Sequence, residues 1–261
     1  MRAYAPGSVT TVFAPPTGDG DRSRGGSVAI RDGVVVGVEE ASGAPVVTVD
    51  GEQASFEPVT FVLERLDARL DVDVRPEVPI GCGFGASGAA TLSTALAANE
   101  YLDLGHSREE LLQAAHAAEV EAGTGLGDVF VQARGGIVFG ADDGIRRIES
   151  GEPLEYESFG GIATSDVLGD GDAMDRIREA GLRAFERLPD EPSLPALVGG
   201  SWSFARETGF VTDRVERAVE RVREAGGEAT MAMLGETVVA TGVDGVLPNR
   251  TRVSAAGAHV L

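Results

Sequence analysis

Between residues 78 and 100 the chain reads VPIGCGFGASGAATLSTALAANE, with glycines at 81, 83, 85 and 88 followed at once by an alanine-rich run. Glycine tolerates positive φ and carries no side chain, so such a turn can point several backbone N–H groups inward. The run from Ala86 predicts a helix, whose N-terminus adds a partial positive charge. Together these make a cradle for an anion, most simply a phosphate. A glycine turn that serves packing alone is the other reading. A dinucleotide-binding turn requires GxGxxG inside a βαβ unit with an acidic residue ending the next strand, whereas here two helices follow in succession.

Hydrophobic spacing predicts the surroundings. Val28 to Ile30 and Val34 to Val38, joined by Asp32-Gly33, alternate as a hairpin with a tight turn. Val46 to Val49 reads as a strand, Pro58 to Leu70 as a helix, and Leu70 to Val74 as the strand leading into the glycine turn. Helices are expected over Ala86 to Tyr101 and Ser107 to Glu121, the second opened by Ser107 with Glu110 three residues on, a capping box. GLGDVFVQARGGIVFG reads as a turn followed by buried extended chain, with Arg146 and Arg147 on a hairpin beyond it. Past residue 150 the pattern gives a strand over Gly161 to Val167, helices near 171–187, 193–208 and 212–225, and a closing strand pair, EATMAMLG and ETVVATGV. The order is mixed α+β without regular βαβ alternation. A chain of 261 residues can bury a substantial core, and we expect two lobes.

Charge narrows the chemistry. Against 42 Asp and Glu stand 22 basic residues, all of them arginine, for a formal charge of −20. A surface negative throughout disfavours nucleic acid as a partner. The composition resembles that of proteins from extreme halophiles, in which high salt screens such a surface. The absence of lysine excludes a P-loop ending in Gly-Lys and any Schiff-base lysine. The lone Cys82 excludes an internal disulfide and a cysteine-built metal site. With no basic-then-apolar opening and no apolar run of about 18 residues, the expectation is a soluble, cytoplasmic protein with no membrane partner.

PIGCGFGASGA resembles the PxGxGLGSSA phosphate loop of the GHMP small-molecule kinases. In that family's order, AYAPGSVT near the start resembles its N-terminal APGK strand, and GGEATMAMLGETVVA resembles its third motif. Ser8 stands where the broad family often has lysine, Ala86 replaces a serine, and Met231 and Met233 stand in a motif that is elsewhere glycine-rich. Within the superfamily, APGSVT, SRGG, HAAEVEAGTGLGDVFVQARGGI and MAMLGETV are most similar to the archaeal pantoate kinases. The resemblance implies a two-lobed α+β fold: an N-terminal lobe over 1–150, like ribosomal protein S5 and holding the phosphate loop, and a ferredoxin-like C-terminal lobe over 151–261. The active site is expected in the cleft between them. It also implies ATP and Mg²⁺ as cofactors and pantoate as acceptor, and it leaves a homodimer open.

Phosphoryl transfer needs amides on the phosphates, a divalent ion bridging oxygens, and a group orienting the attacking hydroxyl. Pro79, Gly81, Gly83, Gly85, Ala86, Ser87 and Gly88 are the nucleotide-binding candidates. The Ser87 hydroxyl can reach Mg²⁺ or act as a plain cap. Glu119 resembles the family's metal-binding glutamate; its alternative is a solvated helix face. Asp128, held by glycines before apolar VFV, is the candidate to orient or take the acceptor's proton, against a turn aspartate. His116 shares a helix face with Glu119 and can contact substrate or metal, against the reading of a structural histidine. Pantoate's carboxylate calls for a fixed cation, which here only arginine supplies, and Arg24 and Arg134 lie beside glycines in family-like segments, with a surface arginine the other reading of each. Ser23 adds a hydroxyl. A kinase of another small alcohol (mevalonate, homoserine or shikimate) and a nucleotide-binding regulator without turnover remain open.

Overall fold

The computed structural model describes residues 1–16, 23–125, 127–141, 144–162, 167 and 169–261. Two sheets organise them. The larger has eight strands: β1 (Arg2–Ala14), β2 (Arg24–Glu40), β3 (Val47–Val49), β4 (Glu52–Gln53), β5 (Leu70–Pro76), β6 (Ile137–Ala141), β7 (Gly144–Ile148) and β12 (His259–Val260). Its main order is β12-β1-β2-β5-β3-β4, and only β3 with β5 runs parallel. The seventeen residues of β2 serve two partners on one edge: Gly25–Val28 pair with β6 and Val34–Glu40 with β5.

Four helices attend this sheet: α1 (Glu57–Arg65), α2 (Ala86–Leu102), α3 (Arg108–Glu121) and α4 (Asp128–Arg134). Residues 88–98 of α2 are all buried, so it has no solvent face to be amphipathic about. Its alanines let β1, β2, α1, α3 and α4 approach closely around it. The α3 capping box forms as expected: Ser107 Oγ accepts from the Glu110 N–H, while the Glu110 carboxylate accepts from the Ser107 N–H at 2.8 Å.

The second sheet is fully antiparallel, in the order β11 (Asn249–Arg252), β8 (Pro153–Gly161), β10 (Gly235–Thr241), β9 (Glu228–Met231). The helices α5 (Gly171–Phe185), α6 (Leu194–Gly200), α7 (Trp202–Thr208) and α8 (Asp213–Glu224) belong to this half of the chain. On α8 the i, i+3, i+4, i+7 set Val215, Ala218, Val219 and Val222 is buried against β9 and β10. By contrast α5 crosses to β1, where a Cβ on Gly181 would lie 2.1 Å from the Phe13 carbonyl oxygen, so only glycine permits the approach.

Several expectations are corrected. Val28 to Val38 is one strand, because β1 runs beside both halves: Pro6 pairs with Gly33 and Gly7 with Ile30, leaving Arg31 and Asp32 as a bulge. Gly33 is required by close packing, since a Cβ there would meet the Ala5 carbonyl at 2.2 Å. The first helix stops at Arg65, with Asp67 at φ 50° turning the chain into β5. DVFVQAR is helix α4, capped by Gly135, and extended chain begins only at Ile137. The strand expected over 161–167 is displaced: β8 ends at Gly161, while 163–166 lie outside the described residues. The single helix expected over 193–208 is two, meeting at Ser201.

Candidate active site

The glycine turn is where these elements converge. Gly81, Gly83 and Gly85 take φ of 76°, 84° and 61°, a region that side chains disfavour. The turn is clamped from both sheets: the Ser8 N–H of β1 donates to the Phe84 carbonyl at 2.8 Å, and Thr237 Oγ1 of β10 donates to the Cys82 carbonyl at 2.8 Å. A Cβ on Gly235 would lie 2.1 Å from that Cys82 carbonyl oxygen, so the third motif keeps glycine at the point of contact. Its neighbour Leu234 carries the turn's positive φ, 60°, without being glycine. Gly85 N-caps α2 and no side chain caps the helix. The Ala86, Ser87 and Gly88 amides therefore begin a helix whose N-terminal donors remain to be satisfied.

Beside the turn opens a cavity of about 740 Å³. Gly81, Gly83, Gly85, Ala86 and Ser87 line it; Pro79 and Gly88 do not. Pro79 is exposed ahead of the turn, and Gly88 is buried one turn into α2. Asp128, His116, Arg134, Arg24 and Ser23 all line the same cavity, so the structure brings these sequence candidates together.

Asp128 is the first residue of α4, and a Cβ on Gly85 would be 3.2 Å from its Cγ. Its Oδ1 accepts from Ser8 Oγ at 2.6 Å, and the Thr10 hydroxyl, 2.8 Å from Ser27 Oγ, lies near enough to lower its pKa. Burial pushes the Asp128 carboxyl above its ordinary value, against the pull of those two hydroxyls. At Ser8 a small hydroxyl thus occupies the place beside this carboxylate.

Glu119 lies behind the cavity wall, 3% exposed. Its Oε1 accepts from Ser87 Oγ at 2.8 Å and Thr91 Oγ1 at 2.7 Å, and its Oε2 from Thr124 Oγ1 at 3.0 Å. Burial raises its carboxyl above the ordinary value, the three hydroxyls oppose that, and the Asp128 charge adds to it. Its solvated-face alternative is therefore wrong. Ser87 and Thr124 reach the cavity surface where Glu119 itself does not.

Farther along, the His116 ring sits 4.8 Å from that of Phe130, and burial lowers its pKa, which favours the neutral imidazole. Arg134 Nη1 donates to the Phe130 carbonyl at 2.9 Å, and its guanidinium lies 6.0 Å from the ring centroid of Phe130. Phe130, Thr10, Ser27, Thr91, Thr124 and Gln132 are participants that the sequence reading missed. Thr91 could have been found four residues after Ser87, and Gln132 four after Asp128, each on the same helix face. Among the described residues no cluster of three His, Cys, Asp or Glu is placed to hold a metal by itself. No helix among them is long and apolar enough to cross a membrane.

Residues 56–136 match the family model for the GHMP kinases N terminal domain. A protein of Methanocaldococcus jannaschii named pantoate kinase is 28% identical over 249 residues, covering 90% of each chain. One of the same name from Methanospirillum hungatei is 28% identical over 257 residues, covering 93% of this chain and 87% of its own. A solved structure described as a phosphotransferase related to the CoA biosynthesis pathway superposes with a TM-score of 0.84 at 25% identity, over 100% of this chain and 98% of its own. A mevalonate kinase structure, 12% identical, shares the fold with a TM-score of 0.67 over 97% and 99%.

Proposed function

We propose that this chain, which belongs to the GHMP kinases, transfers the γ-phosphoryl group of ATP to the 4-hydroxyl of pantoate, a step toward coenzyme A. The observation that carries the reading is the placement of a half-buried carboxylate, Asp128, against Gly85 at the start of a helix that no side chain caps, within one cavity that also holds two arginines. The relatives named pantoate kinase, matched over about nine-tenths of the chain, support the choice of acceptor.

The roles follow from the residues. The amides of the 81–88 turn and the start of α2 hold the nucleotide's phosphates. Ser87, Glu119 and Thr124 offer hydroxyl and carboxylate oxygens, a donor set that suits a hard cation, and we assign Mg²⁺ to them. When bound, that ion neutralises phosphate charge. Asp128 accepts a hydrogen bond from the acceptor hydroxyl and aims its oxygen; the burial that raises its pKa also makes it a better proton acceptor. Arg134 and Arg24 receive the pantoate carboxylate, Ser23 a hydroxyl, and neutral His116 with Phe130 lies against the acceptor's carbon skeleton. We divide the chain into lobes at about residue 150. The two sheets support this, since strands up to Ile148 belong to the first and strands from Pro153 to Arg252 to the second, while β12 returns to β1. The acidic surface and the ATP requirement suit a cytoplasmic small-molecule enzyme without a nucleic-acid partner.

A coupled ADP-release assay over pantoate, mevalonate, homoserine and shikimate tests the assignment. Pantoate should give the highest kcat/KM by at least about 100-fold, the discrimination expected when a site's buried polar groups match one acceptor. Preference for another member of the panel would overturn the acceptor and keep the kinase.

A further inference from the structure

Gln132 is completely buried, yet no role above uses it. It follows Asp128 by one turn of α4. Its Nε2 donates to the Gly85 carbonyl at 2.7 Å and reaches Ser8 Oγ at 3.4 Å. A carbonyl can only accept, so the amide nitrogen must face Gly85 and Ser8. The amide oxygen then faces α2, where a Cβ on residue 88 would lie 2.9 Å from it. That oxygen is buried without a hydrogen-bond partner among the described residues. Facing a donor, Ser8 Oγ turns its own hydrogen to Asp128 Oδ1, 2.6 Å away. One side chain therefore reaches both the carbonyl that starts α2, where the Ala89 N–H also donates at 3.0 Å, and the hydroxyl that holds Asp128. A residue needed only for packing would be met better by leucine or methionine, which bury no unpaired oxygen.

We infer that Gln132 is a positioning residue for phosphoryl transfer, its amide setting the distance and orientation of the Asp128 carboxylate relative to the phosphate turn at Gly85. The inference rests on Asp128 being the residue that orients the acceptor. It also explains Gly88, which leaves room for the amide oxygen and not for a nucleotide.

The test is a double-mutant cycle, run on whichever acceptor the panel identifies. Failure of pantoate alone thus overturns the proposed function while this test still reads out. Gln132→Met keeps the volume and removes both donors. It should lower kcat about 10- to 100-fold, with KM for ATP and acceptor within about threefold, the pattern of misplaced chemistry and intact binding. Added to Asp128→Asn, it should cause no further loss of kcat. Ser8→Ala cuts the chain at its middle and should give the same non-additive result, which keeps the test alive if Gln132→Met fails to fold. Unfolding midpoints of all variants identify the folded ones. Wild-type kcat in folded Gln132→Met or Ser8→Ala would overturn the inference, and so would losses that multiply with Asp128→Asn. Absence of turnover on every acceptor would overturn it together with the function.

Discussion

Glu119 and Glu155 are each 3% exposed and each accept three or more hydrogen bonds, but their surroundings drive them in opposite directions. Around Glu119 the donors are the hydroxyls of Ser87, Thr91 and Thr124, and burial wins, raising its pKa. Around Glu155 the donors are the backbone N–H groups of Gly245, Val246 and Leu247, with Arg250 at 3.7 Å. Burial is again the largest single influence and pushes upward, but three amides and a guanidinium together outweigh it and leave the pKa lowered. Hydroxyls rotate and can be re-aimed at an ion or substrate; amides in a loop are fixed by the chain. Glu119 is thus held by re-orientable hydroxyls against the burial that raises its pKa, just behind the cavity wall, and Glu155 stabilises the turn between β10 and β11.

The contrast can be broken by substitution. The largest effect belongs to the carboxylate that lines the cavity: Asp128→Asn should lower kcat by about 10² to 10⁴ while nucleotide affinity persists, and added Mg²⁺ should not rescue it. Next, Glu119→Gln and Ser87→Ala should reduce turnover by about 10- to 100-fold and raise the Mg²⁺ needed for half-maximal rate, so that excess Mg²⁺ restores part of it. The unfolding midpoint of Glu119→Gln should stay level or rise. An Mg²⁺ requirement left unchanged in both variants would remove them from the metal site.

Glu155→Gln should do the reverse, losing about 2 kcal/mol of stability, or roughly 4–8 °C in midpoint, with wild-type kcat in the folded fraction. The pH dependence sharpens this. A carboxyl whose folded pKa is lowered contributes stability above its unfolded pKa, about 4.3, and loses it as pH falls through the folded value. The gap between wild type and Glu155→Gln should therefore be constant from pH 7 to about 5 and close below about 4.3. Glu119, raised by folding, has the opposite sign: its contribution becomes more favourable as pH falls through its folded value. Urea unfolding of both variants across that range separates them. The smallest effect expected is from salt. Arg65–Glu121, Arg183–Glu207 and Arg221–Glu157 are all solvent-exposed pairs worth little singly, while the −20 charge repels itself throughout. Midpoint and activity should rise from low to multi-molar KCl, where the screening length falls to about 3 Å or less, and equal stability at both extremes would contradict that.

What could be read in advance was what a local rule enforces. Gly81, Gly83 and Gly85 announce positive φ, and Ser107 with Glu110 announces a helix start, because each depends on its own neighbours. Residues 128–134 could not be read so: Val129, Phe130 and Val131 suit a strand, and the short helix exists because β1, β2, α2 and α3 pack around it. The Arg31-Asp32 bulge before Gly33 mimics a hairpin because alternation continues on both sides and only the partner strand tells them apart. β11, with the sequence NRTR, is a polar edge strand with no apolar period to find. In the site, Asp128 stood out by its flanking glycines and Glu119 by likeness to a family motif, whereas Ser8, Thr10, Thr91 and Gln132 come in through contacts made across as many as 124 positions.

Phosphorus NMR of wild type and Asp128→Asn incubated with ATP, Mg²⁺ and pantoate reads directly whether a phosphoryl group reaches pantoate and whether Asp128 is needed for it. A phosphomonoester signal coupled to the protons of the pantoate C4 methylene should appear with the wild type, and at least about 100 times more slowly with the variant. ATP consumed to free phosphate with no ester, or an ester formed equally fast by Asp128→Asn, would contradict it.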